Sequence, residues 1–215
     1  MNSCYIYKVI VSPMRTNCYI LKSKATKSAL VIDPGDDYSL IKAKLDSIQA
    51  SCRVILLTHG HFDHILAADS LRNKLTQVAI HKDDEKCLYE KDVFSSMIEN
   101  DPRPMYPADV IIYKEGKYKI DEFEFSVLHT PGHTKGSVCY IFEDCMFTGD
   151  TLFKNSIGTT IFGGDENDLN ESLKRLYYYP GDFAVLPGHE DATTLSDARI
   201  NNPFLRKFKG STIER

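Results

Sequence analysis

The segment Thr58-His59-Gly60-His61-Phe62-Asp63-His64 limits this chain more than any other. Three histidines and an aspartate fall within six positions, directly after the apolar run Arg53-Val54-Ile55-Leu56-Leu57. A short run of that kind reads as a strand buried on both faces, which needs helices to cover it. His59 and His61, two apart on an extended segment, point the same way. Asp63 and His64 follow where the chain turns toward the next helix, and they aim at a second point nearby. Imidazole and carboxylate are ligands that suit Zn²⁺ or Fe²⁺.

So dense a cluster can serve two ions, but only with partners from elsewhere. The chain offers them in the same kind of place. His133 follows Gly132 after a strand-like run over 123–129, Asp150 follows Gly149 after 145–148, and His189 follows Gly188 after 183–186. Glycine lets the backbone turn sharply and keeps bulk away from an ion. Ligands on loops at strand ends are what a rigid scaffold presents to a substrate. A lone histidine or aspartate at such a position is ordinarily a solvated or capping residue. It is the repetition of strand, glycine and ligand that points to metal.

The elements around these positions are mixed. Strand patterns cover 5–11, 17–22, 28–32, 53–57, 78–81, 110–113, 117–120, 123–129, 137–142, 145–148 and 183–186. Helical spacing covers 38–48, 65–75, 82–91, 168–178 and 193–201, the last stopping before Pro203. The proline-containing stretch 99–109 reads as a loop or lid. Many strands meander and others alternate with helices. Two mixed β-sheets packed face to face, with helices on both outer faces, satisfy this order within an α/β (α+β) class. The 215 residues suit a single domain over 1–215.

Composition excludes several alternatives. A formal net charge of −4 gives no basis for phosphate neutralisation, so nucleic acid is not an expected partner. No apolar run approaches the roughly 18 residues of a membrane span. The opening Met1-Asn2-Ser3-Cys4-Tyr5-Ile6-Tyr7-Lys8 has no basic leader pattern. The six cysteines form no C-x-x-C pair and sit mostly in apolar runs, so buried free thiols in a reducing cytoplasm are expected. No G-x-S-x-G or P-loop is present, which gives covalent catalysis and phosphate cradling little support. Oligomeric state is left open.

At the segments 59–64, His129-Thr130-Pro131-Gly132-His133-Thr134, Gly149-Asp150-Thr151-Leu152-Phe153 and Pro187-Gly188-His189 the chain resembles the metallo-β-lactamase-fold hydrolases, and within them the glyoxalase II-like group. Asp33-Pro34-Gly35 matches a family turn. The resemblance covers most of the chain and implies the αββα sandwich. It also implies a ligand assignment. His59, His61 and His133 take a first metal, Asp63, His64 and His189 a second, and Asp150 bridges both. Two divalent ions about 3.5–4 Å apart share a hydroxide that attacks a carbonyl carbon, while the metals stabilise the oxyanion. A thioester suits this chemistry because a thiolate leaves without a strong acid. Asp63 and Asp150 are then the catalytic carboxylates, Asp63 as the residue that orients the water. Thr58 and His129 are candidates to fix histidine tautomers, with a buried structural role the alternative for His129. Zinc is the first expectation for the metal, with iron or manganese as alternatives.

Departures from the group bear on the substrate. A C-terminal helical extension with basic residues for glutathione carboxylates is expected to be lacking, and Thr159 stands near where a basic residue follows the G-D-T-L-F segment. Lys154, Arg206, Lys207 and Lys209 are candidates for an anionic thiol carrier, against the ordinary reading of a solvated surface. The rival to a thioester hydrolase is a mononuclear-iron dioxygenase acting on a persulfide, since relatives on this fold keep nearly the same histidines. A diiron redox module, a domain that has lost catalysis and a β-lactamase are weaker expectations.

Overall fold

The computed structural model describes residues 3–91 and 103–210. Alternation of side chains is what builds it. In β3 (Ser28–Ile32) and β4 (Ser51–Leu56), Leu30, Ile32, Val54 and Leu56 face one way while Ala29, Val31 and Ile55 face the other. Both sets are buried, so each strand needs cover on both sides. The first set packs against a second sheet and the other set against helices.

The first sheet runs β1 (Cys4–Val11), β2 (Thr16–Ser23), β3, β4, β5 (Gln77–His81) and β6 (Val110–Ile112), hydrogen-bonded in that order. Its first two pairings are antiparallel and the remaining three parallel. The second sheet runs β7 (Gly116–Ile120), β8 (Phe123–His129), β9 (Val138–Phe142), β10 (Cys145–Gly149), β11 (Ala184–Pro187) and β12 (Thr193–Thr194). Only its β10–β11 pairing is parallel. Both sheets are mixed, as the order of patterns predicts.

Three apolar layers follow. Tyr19, Leu21, Leu30, Leu56, Phe125, Val138, Tyr140 and Phe147 fill the space between the sheets. Ile20, Val31 and Ile55 meet Ile41 and Leu45 of α1 (Tyr38–Ser47), together with Ile65 and Leu71. Cys139, Ile141, Met146 and Val185 meet Leu169, Leu173 and Leu176 of α4 (Glu166–Tyr177) and Ala198 of α5 (Leu195–Asn201). The result is the expected αββα sandwich. The Asp165 side chain caps α4 by accepting from the Asn167 and Asp168 amides.

The structure departs from the sequence pattern in two helices. The helix expected over 65–75 is two short ones, α2 (Phe62–Ile65) and α3 (Ala68–Leu71), and the first begins early enough to include Asp63 and His64. The helix expected over 82–91 reduces to one 3₁₀ turn, Glu85–Leu88. Amides along it bond three residues back, Cys87 to Asp84 and Tyr89 to Lys86, so the tighter turn replaces an α-helix. Of the 99–109 stretch, residues 99–102 lie outside the described residues, and 103–109 form an irregular loop. Cys4, Cys18, Cys52, Cys139 and Cys145 are buried free thiols, and Cys87, in no disulfide, is partly exposed. No described helix is long and apolar enough to cross a membrane.

Candidate metal centre

Four strand ends converge on one point. β4 leads into 59–64, β8 into His133, β10 into Asp150 and β11 into His189. His61 keeps an extended backbone and serves as the cap of α2, so His59 and His61 precede the helix while Asp63 and His64 lie within its only turn. The switch from extended to helical backbone is what separates the two pairs in direction.

The seven residues come together as three interlocking groups: His59 with His61 and His133, His59 with His64 and Asp150, and Asp63 with His64 and His189. Within each, the ligand atoms lie within 4.8 Å of one another. The His59 and His133 Nε2 atoms are 3.2 Å apart. Asp150 sits between the halves, with Oδ2 at 3.6 Å from His133 Nε2 and 3.4 Å from His189 Nε2. His189 Nε2 is also 3.3 Å from Asp63 Oδ2. Gly188 is required at this approach: a Cβ there would lie 2.3 Å from Asp150 Oδ1 and 2.7 Å from His64 Cε1.

A second layer of hydrogen bonds fixes the rings. His64 Nδ1 donates to Asp33 Oδ2 at 2.9 Å, and the Thr58 amide and hydroxyl donate to the two oxygens of the same carboxylate. Thr58 Oγ1 also lies 3.1 Å from His59 Nδ1. His133 Nδ1 donates to the Thr159 carbonyl at 2.7 Å. The Thr16 hydroxyl donates to Asp63 Oδ2 at 2.8 Å. The Asn17 side chain donates to the carbonyls of Pro187 and Glu190, holding the His189 loop from both ends. Thr58 therefore holds one of the clustered histidines, as its position suggests. His129 does not: its Nε2 donates to the Lys135 carbonyl and its ring stacks on His81 at 4.2 Å and 20°. His81, Asp83 and His129 form another close group, but planes so nearly parallel do not let one ion lie in both rings.

Charge divides the cluster in two. Burial pulls the His59 imidazole well below its ordinary value, and the His64, His133 and His61 rings add to the effect. Burial likewise takes His133 down to about 4, against the pull of Asp150. Both are neutral nitrogen donors near neutral pH. Burial also opposes charge on His64, yet Asp63, Asp150 and Asp33 outweigh it and push that ring up to about 9. For His189 burial is outweighed by hydrogen bonds that its ring donates to Asp150 and Asp63, and the ring rises to about 10. Burial would raise the Asp150 and Asp63 carboxyls, but the facing histidines hold both below the usual range. The two carboxylates thus call for positive charge at the His64 and His189 side.

These residues fit divalent cations on two further counts. Buried His64 Nε2 and Asp150 Oδ1 lack a hydrogen-bond partner, though only 3.4 Å separates them. Orphaned buried atoms of this kind destabilise a fold unless another group satisfies them. The donors are all imidazole nitrogen and carboxylate oxygen, which suit zinc, iron or manganese.

Asp33, Thr16 and Asn17 have no assigned role in the sequence reading. Asp33 lies in a segment read only as a turn, and its backbone there has a positive φ of 51°. Thr16 and Asn17 carry no local mark, because their partners lie 47 or more positions away.

Comparison with known proteins places the chain in context. The model of the Metallo-beta-lactamase superfamily matches residues 11–189. Hydroxyacylglutathione hydrolase GloC of Haemophilus influenzae is 34% identical over 206 residues, covering 91% of this chain and 95% of that protein. The crystal structure of the BLEG-1 B3 metallo-beta-lactamase superposes with a TM-score of 0.87 at 35% identity, over 94% of this chain and 99% of its own. That of TTHA1623 in a di-iron-bound form gives 0.78 at 33% identity, over 93% and 100%.

Proposed function

The chain belongs to the metallo-beta-lactamase superfamily, and from that premise we propose that it is a hydrolase holding two divalent cations and cleaving a small thioester of the hydroxyacyl-glutathione kind. His59, His61 and His133 take one cation, Asp63, His64 and His189 the other, and Asp150 serves both. Zinc is the first candidate, with iron or manganese as alternatives, iron being the metal named for TTHA1623. When bound, such a pair makes water nucleophilic near neutral pH and polarises a carbonyl oxygen.

The chain's own residues supply the rest. His59 and His133 keep their lone pairs free because burial holds them neutral. Thr58, Asp33 and the Thr159 carbonyl fix ring orientation, so little reorganisation is needed during reaction. Asp63, with one oxygen held by Thr16, orients the attacking water. Burial of five of the seven donors, with Asp150 and His189 partly open, limits the access of bulk water. A thiolate leaves without a proton from an acid, so the donor set needs no added proton source.

The observation that carries this reading is Asp150 Oδ2, within 3.6 Å of His133 on one side and 3.4 Å of His189 on the other. The Asp63, His64 and His189 group favours it over a mononuclear iron dioxygenase, which has no use for a second complete set of donors. Likeness to GloC supports the thioester. Metal analysis of the purified protein, with assays on S-lactoylglutathione, a β-lactam and a persulfide under oxygen monitoring, tests it. Two metals per chain and chelator-sensitive thioester cleavage are expected. One iron per chain with oxygen uptake would replace the reading with the dioxygenase, and faster turnover of the β-lactam would replace the substrate.

A further inference from the structure

We infer that Asp84 is a positioning residue, a clamp that ties the loop of His59 and His61 to the loop of His133 and so builds the first cation position without acting on the second. The inference rests on the two-cation reading above.

Asp84 lies outside every ligand segment and is 2% exposed. Its Oδ2 accepts from the Gly60 amide at 2.8 Å and from the Thr134 hydroxyl at 2.6 Å, and its Oδ1 accepts from the Gly136 amide at 2.8 Å. Gly60 stands between His59 and His61, and Thr134 directly follows His133. The two loops leave different sheets, β4 in one and β8 in the other. One carboxylate therefore spans the sandwich at the point where three imidazoles must meet.

Packing agrees with the hydrogen bonds. A Cβ on Gly60 would stand 2.4 Å from the Cys87 Cβ, and one on Gly136 would stand 2.5 Å from Asp84 Cγ. Both loops thus press against the 84–87 turn with no side chain between. The turn is anchored in its own right, by the Asp84 amide on the His81 carbonyl and the Cys87 amide on the Asp84 carbonyl. The second group of ligands is held by other residues: Asp33 on His64, Thr16 on Asp63, Asn17 on the His189 loop.

The chemistry needs a carboxylate. Both oxygens of an ionised Asp accept, whereas Asn has one accepting oxygen and an NH₂ that would face an N–H or O–H donor. In Asp84→Asn the NH₂ must face either the Gly136 amide or the Gly60 amide and the Thr134 hydroxyl, so at least one backbone amide of the clamp is left unpaired. Groups that orient metal ligands from behind shift metal affinity by roughly 10- to 100-fold.

The test uses the full chain stripped of metal and titrated with Zn²⁺, followed by calorimetry, and with Co²⁺, followed by its absorption spectrum. His189→Ala leaves the first position to be read alone, and His61→Ala the second. Asp84→Asn is expected to weaken binding roughly 10- to 100-fold in the His189→Ala background and to leave it unchanged in the His61→Ala background. Equal losses in both, or none in the first, overturn the inference. If Asp84→Asn fails to fold by circular dichroism, Thr134→Val carries the same expectation with a smaller effect, and Thr134→Ser restores binding. A wild-type chain that takes up no cation refutes the proposed function instead, a result distinguishable from failure of the clamp.

Discussion

His64 Nδ1 donates to Asp33 Oδ2 at 2.9 Å, and this one bond decides which face of the imidazole is offered to the cluster. With Nδ1 occupied by a carboxylate, Nε2 is the nitrogen left to ligate, and it is the buried nitrogen without a partner. Asp33→Asn removes the charge and allows the ring to take the other tautomer. Zinc affinity is expected to fall roughly 10- to 100-fold, measured by competition with a chromophoric chelator. Affinity unchanged in that variant would refute the ring-fixing role.

Asp150 faces His133 and His189 at once, so its loss should be felt by both ions. Asp150→Asn is expected to lower turnover of the thioester by roughly 10²-fold or more and to reduce metal content below two per chain by elemental analysis. Full turnover with both metals retained would remove the bridging role.

Gly188→Ala tests the same junction by bulk alone. The added methyl meets Asp150 Oδ1 and His64 Cε1 at distances no real contact tolerates. Metal content and activity should collapse together, while the far-ultraviolet circular dichroism of the sandwich stays native.

The His189 ring has a definite pH signature in the metal-free protein. Its folded value is raised from 6.5 to about 10 by Asp150 and Asp63, after burial has opposed the charge. A raised value means the folded state holds the proton more tightly. The stabilisation is therefore complete below about pH 6.5 and is lost as the pH climbs toward 10. Thermal melts in chelator should show a decline across that window that is shallower in His189→Gln. A decline of equal steepness in the variant would exclude the ring as its source. Bound cation takes the place of the proton, so the holoprotein should lack this component.

Tyr140 gives a control that is not itself one of the clustered donors. Its hydroxyl donates to the Leu57 carbonyl at 2.9 Å in the layer between the sheets. Tyr140→Phe leaves that buried carbonyl unpaired and is expected to cost about 1–3 kcal/mol in urea unfolding. Metal content should stay at the wild-type level.

Much of the fold is legible in the chain because strand alternation and the continuous apolar run at 53–57 each state how many faces need cover. The seven clustered side chains are legible for a local reason: each histidine or aspartate stands at or just past a strand end, four of them directly after a glycine. The 65–75 helix misleads because its spacing says nothing of where His61 stops being extended, and the break near Ala67 divides what periodicity joins. Asp33 is visible only as a turn. Thr16, Asn17 and Asp84 are silent, since what each does depends on a loop that folding alone brings near. His129 takes the structural alternative: at a suggestive position beside a ligand segment, its ring stacks on His81 and turns to a backbone carbonyl.

Two ligands of the first position come from a loop of one sheet and the third from the other sheet, and the second position is divided in the same way. Neither half of the sandwich, separated from its mate, would possess a complete set of donors. Metal content is therefore a gauge of closure: a chain whose layers have drifted apart gives up its ions before its helices melt, and loading with ions draws the layers back into register.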